Sequence, residues 1–171
     1  MNHNWYALYT RSRYEKCVEK QLREQGLTVY LPLMSTFRRW SDRMKKVEVP
    51  LFNSYLFVKT HPTDQHHYYS ILHTPGVVRF ITFEGQPVPV PDHQIEALQR
   101  LSAEGYDLAP VEKPLKPGTP VEIKQGPLRG ITGEIIASGG NKFLLIQIDS
   151  LDKCIQVKIP AALVESTNKH K

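Results

Sequence analysis

A chain of 171 residues, 40% apolar and 23% charged, has a globular composition and can bury a core in one medium domain or two small ones. No apolar run approaches the roughly 20 residues of a membrane-spanning helix. The opening Asn2-His3-Asn4-Trp5 lacks the order of a signal peptide, so a cytoplasmic protein without a membrane partner is expected. Net charge is +5 and the pI is near 9.2. The excess lies in residues 1–102, with 13 basic and 9 acidic groups against 9 and 8 in residues 103–171. That admits a polyanion partner but is too little to hold nucleic acid tightly by itself. Cys17 and Cys154 are too few and too far apart for a disulfide scaffold or zinc finger, and read as reduced thiols.

In chain order, Trp5-Tyr6-Ala7-Leu8-Tyr9-Thr10 reads as a strand. Tyr14, Cys17, Val18 and Leu22 recur at helical spacing over residues 14–25, and Gly26 is a helix stop. Residues 29–33 predict a strand interrupted by Pro32, which cannot donate to a ladder. A basic stretch, then Val47–Pro50, precedes Leu51–Val58, an expected buried strand. Residues 63–73 look helical, Thr74-Pro75-Gly76 turns, and Val77–Ile81 reads as a strand. Pro87, Pro89 and Pro91 break the chain. Asp92 is the expected cap of a last helix with Ile95, Leu98 and Leu101 on one face. The order β-α-β-β-α-β-α predicts an α+β sandwich over residues 1–102. Residues 103–117, with Gly105, Pro110, Pro114 and Pro117 among charges, read as a linker. Residues 118–171 alternate apolar and polar in short runs separated by turns such as Gly139-Gly140-Asn141, predicting a small all-β, five-stranded barrel.

Within that barrel, Val121 to Ile135 runs strand, loop, strand, with Gly126-Pro127-Leu128-Arg129-Gly130 at the corner and Gly133 beyond. This pattern resembles the KOW motif. Trp5-Tyr6, Pro50–Val58 and Thr74–Phe80 resemble, in order, the signature segments of the NusG N-terminal domain. The ordered set covers nearly the whole chain and is similar to the NusG family of transcription elongation and antitermination factors. The resemblance implies an α/β domain tethered to a KOW barrel, acting as a monomer without cofactor. It implies binding to the β′ clamp helices and the β subunit of RNA polymerase, and suppression of pausing or termination. NusG proteins tend to be acidic or neutral. This basic chain is therefore more similar to specialised paralogues, the RfaH-like antiterminators of capsular-polysaccharide-type operons.

The resemblance assigns the polymerase contact to Tyr55, Phe57, Phe83, Ile95 and Leu98. From the residues alone, Phe57 and Leu98 fit core burial equally well, because alternation does not say which sheet face is covered. Tyr55 carries a hydroxyl suited to a half-wet interface. Residues 36–46 hold Arg38, Arg39, Arg43, Lys45 and Lys46 against Asp42, with Phe37 and Trp40 interleaved. That mixture suits phosphates and unpaired bases at a hairpin tip, with a solvated loop as the plain alternative. In relatives this region lies near non-template or upstream DNA. Arg11, Arg13, Lys16, Lys20 and Arg23 form a second basic stripe, placed by RfaH-like relatives on the non-template strand. In the KOW loop, Leu128 and Arg129 are expected to project, with Ile155, as the surface for Rho or a small-subunit ribosomal protein. Family barrels that carry a phenylalanine at the Leu128 position mark a departure here.

His61, His66, His67 and His73 fit no standard ligand frame, so no metal is expected. His67–Ser70 is loosely similar to a polar run that touches the β subunit in RfaH-like relatives. The β-branched alternation after residue 118 predicts strands, not the helices that this region forms in RfaH. No phosphate loop, nucleophile elbow or paired-carboxylate motif points to an enzyme. A general NusG-type elongation factor, or a ribosome-associated or RNA-binding KOW protein, is the alternative reading.

Overall fold

The computed structural model describes residues 3–61, 63–111, 118–138, 141–159 and 164–166. The chain divides into two compact units, residues 1–95 and 96–171. The division falls inside the last helix, not at residue 102.

In the first unit, β1 (Asn4–Thr10) lies between β5 (Tyr55–Thr60) and β6 (Val77–Phe80), and β2 (Thr28–Tyr30) extends the sheet beyond β5. All pairings are antiparallel. Helix α1 (Glu15–Glu24) packs over β2 and β5, and α2 (Gln65–His73) over β6. Their apolar stripes meet one sheet face in a core of Tyr6, Leu8, Val18, Leu22, Leu56, Val58, Ile71 and Phe80. The Tyr68 ring stacks on Phe80 at 4.9 Å.

The strand expected from Leu51 begins only at Tyr55. Residues 51–54 turn instead: Leu51 N–H donates to the Pro32 carbonyl (2.8 Å) and Ser54 adopts φ 66°. The buried Glu15 carboxylate accepts the Ser54 amide at 2.7 Å, holding a conformation that a non-glycine residue rarely takes. Between β2 and β5 an arm departs from the sheet. β3 (Leu33–Trp40) pairs with β4 (Arg43–Pro50) through a two-residue turn at Ser41-Asp42.

Of the prolines read as breaks, Pro87 and Pro89 sit in short strands, while Pro91 lies between β9 and the last helix. β7 (Thr82–Phe83) and β8 (Gln86–Pro87) form a small hairpin, while β9 (Pro89–Val90) pairs with β1. At such edges a missing N–H costs nothing. Asp92 opens α3 (Asp92–Ala103) as its first residue.

After α3, the described residues of the second unit form strands, turns and one 3-10 turn. Its sheet runs β10 (Leu108–Val111), β14 (Lys153–Lys158), β13 (Asn141–Ile148), β12 (Thr132–Ser138), β11 (Thr119–Ile123), β15 (Val164–Ser166). The described residues of 118–171 supply five strands and no helix beyond one 3-10 turn at Asp149–Leu151. The sixth, β10, comes from the segment expected to be linker. Pro110 disguised it, yet β10 is an edge strand, where proline is tolerated. Pro114, Pro117 and the Gly139-Gly140 turn lie outside the described residues. No described helix is long and apolar enough to cross a membrane.

Candidate functional site

The sheet face opposite the α1/α2 core carries Trp5, Ala7 and Tyr9 from β1, and Tyr55, Phe57 and Lys59 from β5, because side chains alternate along each strand. Its Trp5 end is closed: Trp5, Ala7 and Phe57 are buried. The Tyr30 ring stacks on Phe57 at 6.5 Å, and burial raises the Tyr30 phenol pKa far above its ordinary value. Lys59 lies over the Trp5 ring (5.7 Å) and 3.8 Å from Asp92. The other end is open. Half-buried Tyr9 and Tyr55 pack at 5.4 Å, and the exposed Arg79 guanidinium lies 5.6 Å from the Tyr9 ring.

Three of the five expected polymerase-contact residues are not at the surface. Phe57, Ile95 and Leu98 are fully buried. Ile95 and Leu98 share the single apolar stripe of α3, and Phe57 occupies the closed part of its sheet face. Tyr55 is half-buried, and Phe83, on the β7–β8 hairpin, is 71% exposed. Tyr9 and Arg79, not singled out from the sequence, stand beside Tyr55 at this open end. For Tyr9 the sequence signal is the alternation that places it in phase with Trp5 and Ala7.

The basic residues divide likewise. Arg38, Arg39, Trp40, Arg43, Lys45 and Lys46 are all exposed on the arm. Arg11 and Arg13 are exposed beside β1, with Arg13 at φ 67°. The rest of the helical stripe is engaged: Arg23 pairs with Glu19 (2.7 Å), Lys20 with Glu24 (3.8 Å), and Lys16 Nζ donates to the Glu48 carbonyl (2.9 Å) at the base of the arm.

On α2, Asp64 caps the helix by accepting the His67 amide (3.1 Å). That hydrogen bond, with His67 and His66 nearby, lowers the carboxyl pKa. His67 Nδ1 lies 2.7 Å from the second Asp64 oxygen. His66, Tyr69, Ser70 and His73 line an open groove of about 410 Å³ on this helix.

In the second unit the Gly-Pro loop closes on itself. Gly126 (φ 73°) and Gly130 (φ 87°) take left-handed backbone, Gly130 N–H donates to the Ile123 carbonyl (2.7 Å), and Ile131 N–H to that of Leu128 (3.1 Å). This winding turns Leu128 inward to full burial, against the expectation that it projects; Ile155 is buried too. Pro127 and Arg129 remain outside. The Arg100 guanidinium donates to the Arg129 carbonyl (2.8 Å) and to that of Pro127.

A helix-covered antiparallel sheet with a basic arm is followed in sequence by a unit whose described residues after α3 are mostly strand and carry the Gly-Pro-Leu-Arg-Gly loop, the architecture of a two-part α+β protein. The family model described as "Transcription termination factor nusG" matches residues 3–99, and the chain belongs to the NusG family. It is 26% identical over 174 residues to the transcription termination/antitermination protein NusG of Staphylococcus carnosus, spanning 94% of each chain. The Staphylococcus epidermidis protein of the same name gives the same values. A solved structure of domain interaction in Thermotoga maritima NusG is similar with a TM-score of 0.58 and 25% identity, covering 96% of this chain and 97% of that one.

Proposed function

We propose that this protein is a transcription elongation and antitermination factor that binds RNA polymerase through its first unit. The observation that carries this reading is the open sheet end. Tyr9, Tyr55 and Arg79 present two aromatic rings and one cation on a rigid sheet, a composition typical of binding hot spots. Tyr55 and the exposed Phe83 contact the β′ clamp helices, and the same unit reaches the β subunit. Bound there, the factor favours the polymerase conformation that elongates and disfavours the paused one, with no bond-making step of its own.

Arg11, Arg13 and the arm cations Arg38, Arg39, Arg43, Lys45 and Lys46 face non-template or upstream DNA. The arm supports a specialised role at particular operons over a general one, because it gathers five cations and one acid on a projecting hairpin. A small-subunit ribosomal protein or Rho reaches the second unit at Pro127 and Arg129. Co-purification of core RNA polymerase with the full-length chain tests the reading. Retention that falls at least about tenfold in a Tyr55→Ala/Phe83→Ser variant supports it, consistent with hot-spot truncations of 2 kcal/mol or more. A folded chain that retains no polymerase overturns it.

A further inference from the structure

Antiparallel register sorts the outer half of the arm into two faces, because directly opposed residues project to the same side. Arg38 lies opposite Lys45, and Trp40 opposite Arg43, on one face. Phe37 opposite Lys46, and Arg39 opposite Met44, make the other. The first face therefore joins one indole to three cations. On the second, two cations are separated by the exposed Phe37 and Met44. Trp40 is 56% exposed, and Lys45 Nζ lies 5.2 Å from its ring centroid. Among the described residues, none of the ion pairs involves an arm cation.

We propose that the Trp40 face binds one unpaired nucleic-acid strand, with Trp40 stacked on a base and Arg38, Arg43 and Lys45 on the flanking phosphates. Lys45 against one side of the indole holds the ring upright, and the base takes the other side. Bases within a duplex already stack on their neighbours, so a flat ring on a strand surface selects the unpaired form. Every base offers a π-face, so sequence preference at this site is weak. The positive face fits an anionic strand, and no acid stands opposite any of its cations. This deepens the proposed transcription role by naming the state of the nucleic acid at the arm: unpaired strand, not duplex.

The test uses the full chain and no polymerase. It is titrated at about 50 mM salt, where phosphate contacts are strong, with a mixed-sequence single-stranded DNA of about 12 nucleotides. RNA of the same sequence, the corresponding blunt duplex and a poly-glutamate peptide are run in parallel. Trp40 fluorescence reports binding, since the other tryptophan, Trp5, is buried. The expected result is quenching by single strands, DNA or RNA, with the tighter of the two assigning the source. Trp40→Ala, followed by a labelled strand, weakens binding by roughly five- to a hundredfold, as for other stacked bases. Trp40→Phe restores part of it. Arg38→Gln/Arg43→Gln/Lys45→Gln flattens the salt dependence, and Phe37→Ser/Met44→Ser changes little. The proposal is overturned by a duplex or peptide bound as tightly as the single strand, by an unaffected Trp40→Ala, or by an equal loss from Phe37→Ser/Met44→Ser. Circular dichroism checks that each variant is folded, and these substitutions are at exposed positions. A chain that binds polymerase but no strand fails this inference alone; one that binds the strand but no polymerase fails the functional reading alone.

Discussion

The arm at residues 33–50 and the loop at residues 123–131 are both strand-turn-strand segments that carry a large apolar side chain and an arginine near the turn, yet they use them oppositely. In the arm, Trp40 is 56% exposed and shares its face with Arg38, Arg43 and Lys45. In the loop, Leu128 is fully buried while Arg129 stays out. Turn chemistry explains the difference. The arm uses a two-residue turn that keeps both strands extended, so neither of its outer faces gains cover. Two left-handed glycines wind the loop back on β11 and deliver Leu128 inward. One segment keeps its side chains for a partner, and the other uses its largest one to hold a fold together.

The largest expected effect is at Leu128. Leu128→Ala should cost about 2–5 kcal/mol by emptying a core position. Trp40→Ala in thermal melts should stay within about 0.5 kcal/mol of the parent, as surface changes do. Similar losses from both would break the contrast. Gly133 comes next. A Cβ there meets the Leu145 carbonyl oxygen and comes within 2.8 Å of the Leu144 side chain, so Gly133→Ala should destabilise by about 1–3 kcal/mol, as overpacked sites do. Hydrogen exchange should then place the loss in β12 and β13.

A smaller effect is expected at Lys16, whose ammonium meets the Glu48 carbonyl at the root of the arm. Lys16→Met should cost at most about 1 kcal/mol but speed amide exchange in β4. The smallest is a titration. The His67 amide stabilises the charged Asp64 carboxylate, so its folded-state pKa lies below the ordinary value of about 3.9. The α2 cap is therefore intact above that value and lost only as the pH falls through the lowered pKa. Carboxyl NMR shifts of Asp64 should titrate below the exposed acids, and a normal titration would remove the cap from the account.

Period and turn residues made most of the fold legible. Val18 and Leu22 marked α1, the Tyr6/Leu8 alternation marked β1, and the glycine frame marked the loop. What was hidden depended on partners far away in sequence. Ser54 starts β5 late because Glu15, in another element, holds its amide. Pro110 looked like linker because an edge strand is recognised only once its neighbour β14 is known. For the site, charge and aromatic interleaving located the arm. Alternation alone could not say that Phe57 lies on the closed half of its face while Tyr9 and Tyr55 lie on the open half. Nor could a motif reveal that Leu128 turns inward, since burial there is decided by the sign of φ at its flanking glycines.

The most direct test of the central claim is a single-round transcription assay on a template with one strong pause, with and without the full-length protein. A factor that favours the elongating polymerase shortens the pause lifetime, and Tyr55→Ala/Phe83→Ser returns it to the factor-free value. An unchanged pause lifetime at saturating protein would contradict the claim.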